Sequence, residues 1–147
     1  MTVRLTAPRP GGSLPAVDPQ RLEKRARELL RAVDRAHAEL SVRLADDTEI
    51  AELNERWRGR KGATDVLSFS LLEGDHVAHH GELLGDVVIG LAVAERQARE
   101  LGHSLGEELD RLLIHGLLHL LGHDHEKPEE PRRMQAEEER LQGVLGG

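Results

Sequence analysis

The sequence predicts an α+β fold in which a small mixed β-sheet packs against helices and a buried helix carries a three-histidine metal site. Two observations predict the fold class. Strand and helix patterns follow one another in the order strand, helix, strand, helix, two strands and then helices, which fits one small sheet covered by helices. The length of 147 residues fits one domain, spanning 1–147, with one buried core.

Turn and capping residues predict the first strand and the first helix. Residues 3–6 are a candidate edge strand, and residues 8–17 contain three prolines and two glycines, which predict an irregular connection. Asp18 and Pro19 then supply an N-cap and a first-turn proline. The apolar residues that follow recur at helical spacing, so this helix is expected to pack on the core.

The next stretch predicts a strand, a helix and a charged loop that leads into another strand. Apolar residues alternate through 38–45, and one of two aspartates then caps a helix that runs to Trp57. We interpret Trp57 as a core residue at the helix end, with a stacking face for a nucleobase as the alternative. Residues 58–63 are too charged for a buried element, whereas 65–71 return to strand-forming residues.

A hairpin-like loop, a strand and a helix are predicted next. Residues 73–81 combine glycine, aspartate and histidine, which suits a loop before a strand. Residues 83–89 form the strand, and a helix begins after Gly90 and ends near residue 101.

Two further helices complete the chain. Ser104 and Glu107 have the spacing of a capping box, and leucines at helical spacing then predict a buried helix over about 105–121. Residues 128–141 predict an acidic amphipathic helix that ends at Gly143.

The composition excludes several classes of protein. The chain has no cysteine, which excludes a disulfide scaffold, thiolate zinc fingers and cysteine nucleophiles and fits a reducing compartment. No stretch approaches the roughly 20 apolar residues of a membrane span, and the first residues lack the apolar core of a signal peptide. The net charge of −7 argues against nonspecific electrostatic binding of nucleic acid, so DNA is not an expected partner. We therefore expect a cytoplasmic protein without a membrane partner.

Three histidines around one glycine predict the metal site. His115 and His119 are four residues apart, so on a helix their side chains share a face, about 5–6 Å apart at Cβ. Gly122 follows, and a glycine just past a helix end readily takes the left-handed conformation that reverses the chain. His125 can then return over the helix face. Three neutral imidazoles would leave the fourth tetrahedral position of Zn²⁺ to water, so we expect one zinc ion per chain.

This spacing matches that of the metzincin proteases with one substitution. Gly116 stands where those enzymes carry the glutamate that acts as general base. A peptidase of that mechanism would lack its proton acceptor, so we exclude the protease and retain the metal site. Asp124, beside His125, has three open roles: it binds the metal, supports a ligand histidine, or caps the turn. We favour support of a ligand.

Four segments together resemble one protein family. HGLLHLLGHDH at 115–125 resembles the signature of the YbeY family of endoribonucleases, which act in ribosomal RNA maturation. LNERWRG at 53–59, TDVLSF at 64–69 and LLGDVVI at 83–89 resemble further motifs of that family, in the same order. The resemblance covers roughly residues 38–141.

The resemblance carries expectations about residues and partners. It implies that the three histidines are zinc ligands and that Arg58 is a functional residue in the cleft. It also implies RNA as substrate, particularly the 3′ region of small-subunit rRNA, and the ribosomal small subunit as partner. Ser70 departs from the family, which commonly has proline after Phe69, and this puts only the path of the following loop in doubt.

The densest basic cluster of the chain supports an RNA substrate. It consists of Arg56, Arg58, Arg60 and Lys61. Such a run is commonly a solvated loop, but beside a metal site it predicts a phosphate-binding patch. The charge that develops on a phosphate in the transition state needs cations beyond one zinc ion.

We therefore predict a zinc-dependent endoribonuclease that acts on single-stranded RNA in rRNA processing, in small-subunit 3′-end maturation and in ribosome quality control. Arg58 would stabilise charge on the scissile phosphate, and Asp124, metal hydroxide or the substrate 2′-OH would accept the proton. Two alternatives stay open. One is a metal-dependent hydrolase of a small ester or amide, and the other is a non-catalytic ribosome-assembly factor in which zinc only staples the C-terminal turn.

Overall fold

The computed structural model of the chain describes residues 2–6, 14–70, 83–122 and 130–146. Its elements, in chain order, are β1 (Thr2–Thr6), α1 (Pro19–Ala32), β2 (Glu39–Ala45), α2 (Asp47–Arg58), β3 (Val66–Ser70), β4 (Leu83–Gly90), α3 (Leu91–Leu101), α4 (Leu105–Leu120) and α5 (Glu130–Gly146). The predicted α+β class and the order of the elements are confirmed. The predicted loop at 73–81 lies outside the described residues.

The four strands form one mixed sheet in the order β1-β2-β4-β3. β1, β2 and β4 are parallel, whereas β3 runs antiparallel to β4 and lies at an edge of the sheet. Alternate residues of a strand point to opposite faces, and both faces are covered. Val87 belongs to the large core under α4, whereas Val88 packs with Ile50 of α2 in a smaller cluster.

Helix α4 is the central helix of the core. It begins with the predicted capping box, in which Ser104 accepts from the Glu107 amide and Glu107 accepts from the Ser104 amide. From Leu109 onward its leucines and Ile114 are buried, between the sheet and helices α1, α3 and α5. A helix that is apolar nearly all round can be stable only in such an interior position.

Gly116 lets α4 approach the sheet closely. A Cβ atom at this position would lie 2.6 Å from Cγ1 of Val87, closer than carbon atoms can pack. The Ser68 hydroxyl donates to the Gly116 carbonyl over 2.8 Å and ties the helix to β3. The helix face that carries His115 and His119 is therefore held at a fixed height above the edge strand.

Two local predictions are wrong. Trp57 is not a core residue, because 60% of its surface is exposed. Helix α5 does not end at Gly143 but continues to Gly146, since Leu141 and Leu145 are both buried. Their burial outweighs the roughly 1 kcal/mol that a helical glycine costs, and Arg25 also donates to the Leu145 carbonyl in the last turn over 2.7 Å.

A buried carboxylate joins α3, α4 and the loop between them. The Glu108 side chain has no exposed surface and accepts two hydrogen bonds from Arg111, at 2.8 and 2.6 Å. Gln97 donates to it over 2.7 Å, and His103 Nε2 lies 2.9 Å from it. Burial raises the pKa of this carboxyl, but the hydrogen bonds, above all those from Arg111, outweigh burial and hold the pKa below its ordinary value of 4.5.

Glu108→Gln is expected to lower the free energy of unfolding at pH 7 by about 1–3 kcal/mol. The substitution replaces one carboxylate oxygen, which accepts hydrogen bonds, by an NH2 group that would face the donors of Arg111 and Gln97. A lowered pKa means that the carboxylate stabilises the fold above the unfolded-state value and loses this contribution as the pH falls through the folded-state value. Urea unfolding of the wild type and of Glu108→Gln, measured from pH 7 downward, should show that the difference between their free energies of unfolding shrinks below about pH 4.5. A difference that persists undiminished in acid would mean that the charge is not its source.

No helix within the described ranges has the length and apolar character needed to cross a bilayer.

Candidate active site

A polar cleft of about 630 Å³ opens where α2 and α4 meet the edge strand β3. Its lining comes from the end of α2 and the following loop, from β3, and from the last turns of α4. The lining residues are Asn54, Arg58, Arg60, Thr64, Val66, Leu67, Ser68, Ser70, His115, His119, Leu120 and Gly122. The cleft thus combines two histidines and two arginines that are far apart in sequence.

The two helical histidines face each other inside this cleft. Their Nε2 atoms are 3.1 Å apart, and their ring centroids are separated by 4.6 Å with 65° between the planes. Two ligand nitrogens bound at ~2.1 Å to one tetrahedral zinc ion are about 3.4 Å apart. The pair therefore fits the ligand spacing of a shared metal ion with little movement of either ring.

The helix ends, and a glycine takes a positive φ, where the sequence predicts. Helix α4 ends at Leu120, and Gly122 has a φ of +94° while its amide donates to the His119 carbonyl over 3.0 Å. His125 and Asp124, predicted as the third ligand and as a catalytic or supporting carboxylate, lie outside the described residues. Within the part of the chain that the structure describes, no third histidine or carboxylate joins the pair as a metal-binding group.

The structure also explains why no glutamate follows the first histidine. A side chain at position 116 would point into Val87 of β4 and Val66 of β3, so only glycine fits. A general base of the metzincin kind is excluded by packing as well as by sequence.

Glu138 is a site residue that sequence analysis missed. Its Oε1 atom lies 3.2 Å from Nδ1 of His115, on the side of the ring away from His119. α5 brings it there by packing along α4. The sequence offers no sign of this contact, because Glu138 is one of several glutamates on an acidic helix, 23 residues from His115.

Arg58 is fixed over the edge of the sheet. It is the last residue of α2, and its guanidinium carbon lies 5.0 Å from the centre of the Phe69 ring while it donates a hydrogen bond to the Ser68 carbonyl. Stacking on an aromatic ring and a backbone bond together restrict a long side chain that is otherwise mobile. Arg58 and Arg60 line the cleft; Arg56 and Lys61, the other predicted RNA-binding residues, are exposed but are not among its lining residues.

Asn54 holds the loop that carries these cations and was also missed. It is only 6% exposed, and its side-chain amide donates to the Gly62 carbonyl over 3.0 Å. Gly59 and Gly62, with φ values of +67° and +92°, supply the left-handed turns that bring the loop back to Asn54. An asparagine four residues after Ile50, on the apolar face of the helix, with two glycines following the helix, is the sequence signal that would have identified it.

Fold and cleft together define a small α+β protein whose central helix presents a histidine pair next to arginines at a sheet edge. A family model described as "Endoribonuclease YbeY" matches residues 13–146. The chain is 50% identical to the endoribonuclease YbeY of Anaeromyxobacter sp. (strain Fw109-5), over 99% of this chain and 74% of that protein. It is 52% identical to that of Aquifex aeolicus, over 73% of this chain and 69% of that protein.

A solved structure agrees with the described fold. The solution structure of TM1509 from Thermotoga maritima superimposes with a TM-score of 0.66 at 28% identity, covering 99% of this chain and 90% of the other. The chain belongs to the YbeY family of endoribonucleases.

Proposed function

We propose that the protein is a zinc-dependent endoribonuclease that cleaves single-stranded RNA, with the 3′ region of small-subunit rRNA as its substrate and the ribosomal small subunit as its partner. Roles in rRNA maturation and ribosome quality control follow from this substrate. The observation that carries the proposal is the pair of Nε2 atoms 3.1 Å apart in a cleft that also contains Arg58. Family membership supports RNA as the substrate class.

The donor set fits one zinc ion. His115 and His119 supply two imidazole nitrogens, and we assign the third position to His125, which the glycine reversal at Gly122 favours. Bound zinc would supply Lewis acidity and lower the pKa of a coordinated water to about 7. The protein has no cysteine to compete for the ion.

Arg58 would bind the scissile phosphate. A guanidinium carries planar N–H donors that match the oxygens of a phosphate, and Arg60 adds a second cation to the lining of the cleft. Because Phe69 and Ser68 already hold this side chain, little reorganisation is needed when negative charge develops in the transition state.

Glu138 would orient the first ligand. A carboxylate beside Nδ1 keeps the proton on that atom and leaves the Nε2 lone pair for a metal ion. Asp124 or metal-bound hydroxide would accept the proton, and where the substrate 2′-OH is the nucleophile it would give its proton to one of these two. Product ends distinguish the routes: a 2′,3′-cyclic phosphate requires attack by the 2′-OH, and a 5′-phosphate requires attack by water.

Glu138→Gln is expected to weaken zinc binding by about ten- to a hundredfold, because an amide orients the imidazole less strongly than a carboxylate does. Competition with a chromophoric chelator measures the affinity. Glu139→Gln is the matched control: it removes the same charge one residue later, from an exposed position on the same helix. Equal affinities of the two variants would remove Glu138 from the site.

The proposal is tested by incubating zinc-loaded protein with a fragment of small-subunit rRNA and mapping the ends of the products. Endonucleolytic cuts in single-stranded regions that require both zinc and Arg58 are expected. Hydrolysis of small esters or amides with no cleavage of RNA would favour the alternative of a metal-dependent small-molecule hydrolase. If His115→Ala binds no zinc but still supports ribosome assembly, the alternative of a non-catalytic assembly factor would be favoured.

A further inference from the structure

Trp57 is an exposed aromatic residue in a chain that has almost none. The sequence contains one tryptophan, one phenylalanine and no tyrosine. Phe69 lies beneath the Arg58 guanidinium, whereas Trp57 leaves 60% of its surface exposed. The fold therefore gains little of the free energy that burial of this large aromatic side chain would yield, and the ring stays available to a ligand.

The surroundings of Trp57 indicate which occupant fits. Arg56, Arg58, Arg60 and Lys61 precede or follow it within four residues and are exposed, in a protein whose net charge is −7. The Arg56 guanidinium carbon lies 5.6 Å from the Trp57 ring centre, within cation–π range of one face of the ring. An aromatic face among cations suits a ligand that is both planar and anionic, and an apolar protein surface would leave the cations without partners.

The chain attaches this ring one residue before a residue that lines the cleft. Trp57 and Arg58 are consecutive residues in the last turn of α2, with Cα atoms about 3.8 Å apart, and Arg58 lines the cleft with the histidine pair. A strand whose phosphate contacts Arg58 would therefore bring a neighbouring base within reach of Trp57.

We infer that Trp57 is a stacking subsite for one unpaired nucleobase of the RNA, next to the phosphate bound by Arg58. The inference rests on the proposed function and adds a reason for single-strand selectivity. A base in a duplex is stacked on both sides and cannot reach the ring, whereas an unpaired base can.

The experiment uses Trp57 as the only tryptophan fluorophore of the full chain. Zinc-loaded protein is titrated with a single-stranded 2′-O-methyl oligoadenylate of about ten nucleotides, with the matching duplex, and with inorganic polyphosphate of similar charge; gels check that the oligonucleotide stays intact. We expect saturable quenching by the single strand, and little by the duplex or by polyphosphate. Quenching by polyphosphate equal to that by the single strand would show that Trp57 responds to charge alone, and would overturn the inference.

Variants then measure the contribution to binding by anisotropy of a labelled oligonucleotide. Trp57→Leu should weaken single-strand binding by about five- to a hundredfold and leave polyphosphate binding unchanged, whereas Trp57→Phe should retain most of the affinity. Leu101→Ala is the control, because Leu101 is also 60% exposed but stands at the end of α3, away from the basic cluster in sequence. Unchanged single-strand affinity in Trp57→Leu overturns the inference, as does a concentration-dependent dimer that this substitution abolishes.

The two proposals fail in different ways. If the wild-type protein cleaves RNA with zinc but Trp57→Leu has the same KM, the stacking subsite is wrong and the proposed function stands. If single-stranded RNA binds and quenches Trp57 but is never cleaved, the stacking subsite stands and the proposed function is wrong.

Discussion

His119→Ala is expected to abolish zinc binding and RNA cleavage together while leaving the fold intact. Removing a residue that only orients a metal ligand typically lowers metal affinity about ten- to a hundredfold. Loss of a ligand itself should therefore lower zinc affinity by more than about a hundredfold. A bound metal supplies several kcal/mol of transition-state stabilisation, and its loss should lower the cleavage rate by about a thousandfold or more. Chelator competition and an rRNA cleavage assay measure the two effects.

His37→Ala is the control for this substitution. His37 is exposed and does not line the cleft, so its removal should change neither quantity. Circular dichroism of both variants checks that the fold is retained. Zinc affinity of His119→Ala equal to that of the wild type would show that the histidine pair is not the metal site.

Arg58→Ala is expected to separate cleavage from metal binding. Among the described residues, Arg58 contacts Phe69 and Ser68 rather than His115 or His119. Zinc affinity should therefore change by less than about twofold, whereas cleavage should fall by about 10²- to 10³-fold. Arg58→Lys should recover little of the loss, because an ammonium group keeps the charge but has neither the planar fork nor the ability to stack as guanidinium does.

The neighbouring Arg56 provides the matched comparison. It carries the same charge on the same helix but does not line the cleft. Arg56→Ala should mainly weaken RNA binding and reduce the dependence of log affinity on log salt by about 0.7, the value for one phosphate contact to a single strand. Equal losses of cleavage in Arg58→Ala and Arg56→Ala would show that Arg58 acts only as one of several cations that bind RNA.

Much of the fold was predictable because local rules agree with the packing. The capping box at Ser104 and Glu107, the buried leucines of α4 and the positive φ of Gly122 are each specified within a few residues. The spacing of His115 and His119 likewise fixes their common face, since four residues make about one helical turn. These features need no knowledge of the rest of the chain.

The features that sequence analysis missed depend on distant residues. Glu138 reaches His115 only because α5 packs along α4, and nothing in the acidic pattern distinguishes it from its neighbours. Trp57 lies at a helix end, where helical periodicity no longer says which face is covered, so its exposure had to be observed. The sequence predicts a helix end at Gly143, because the burial of Leu141 and Leu145 on both sides of it is a tertiary effect that local sequence does not show.

An anomalous-scattering map from crystals of the zinc-loaded protein would locate the metal ion itself. We expect one zinc peak per chain in the cleft, about 2.0–2.1 Å from Nε2 of both His115 and His119, with one coordination position open to solvent. A peak elsewhere, or a fourth protein ligand that closes the site, would contradict this expectation.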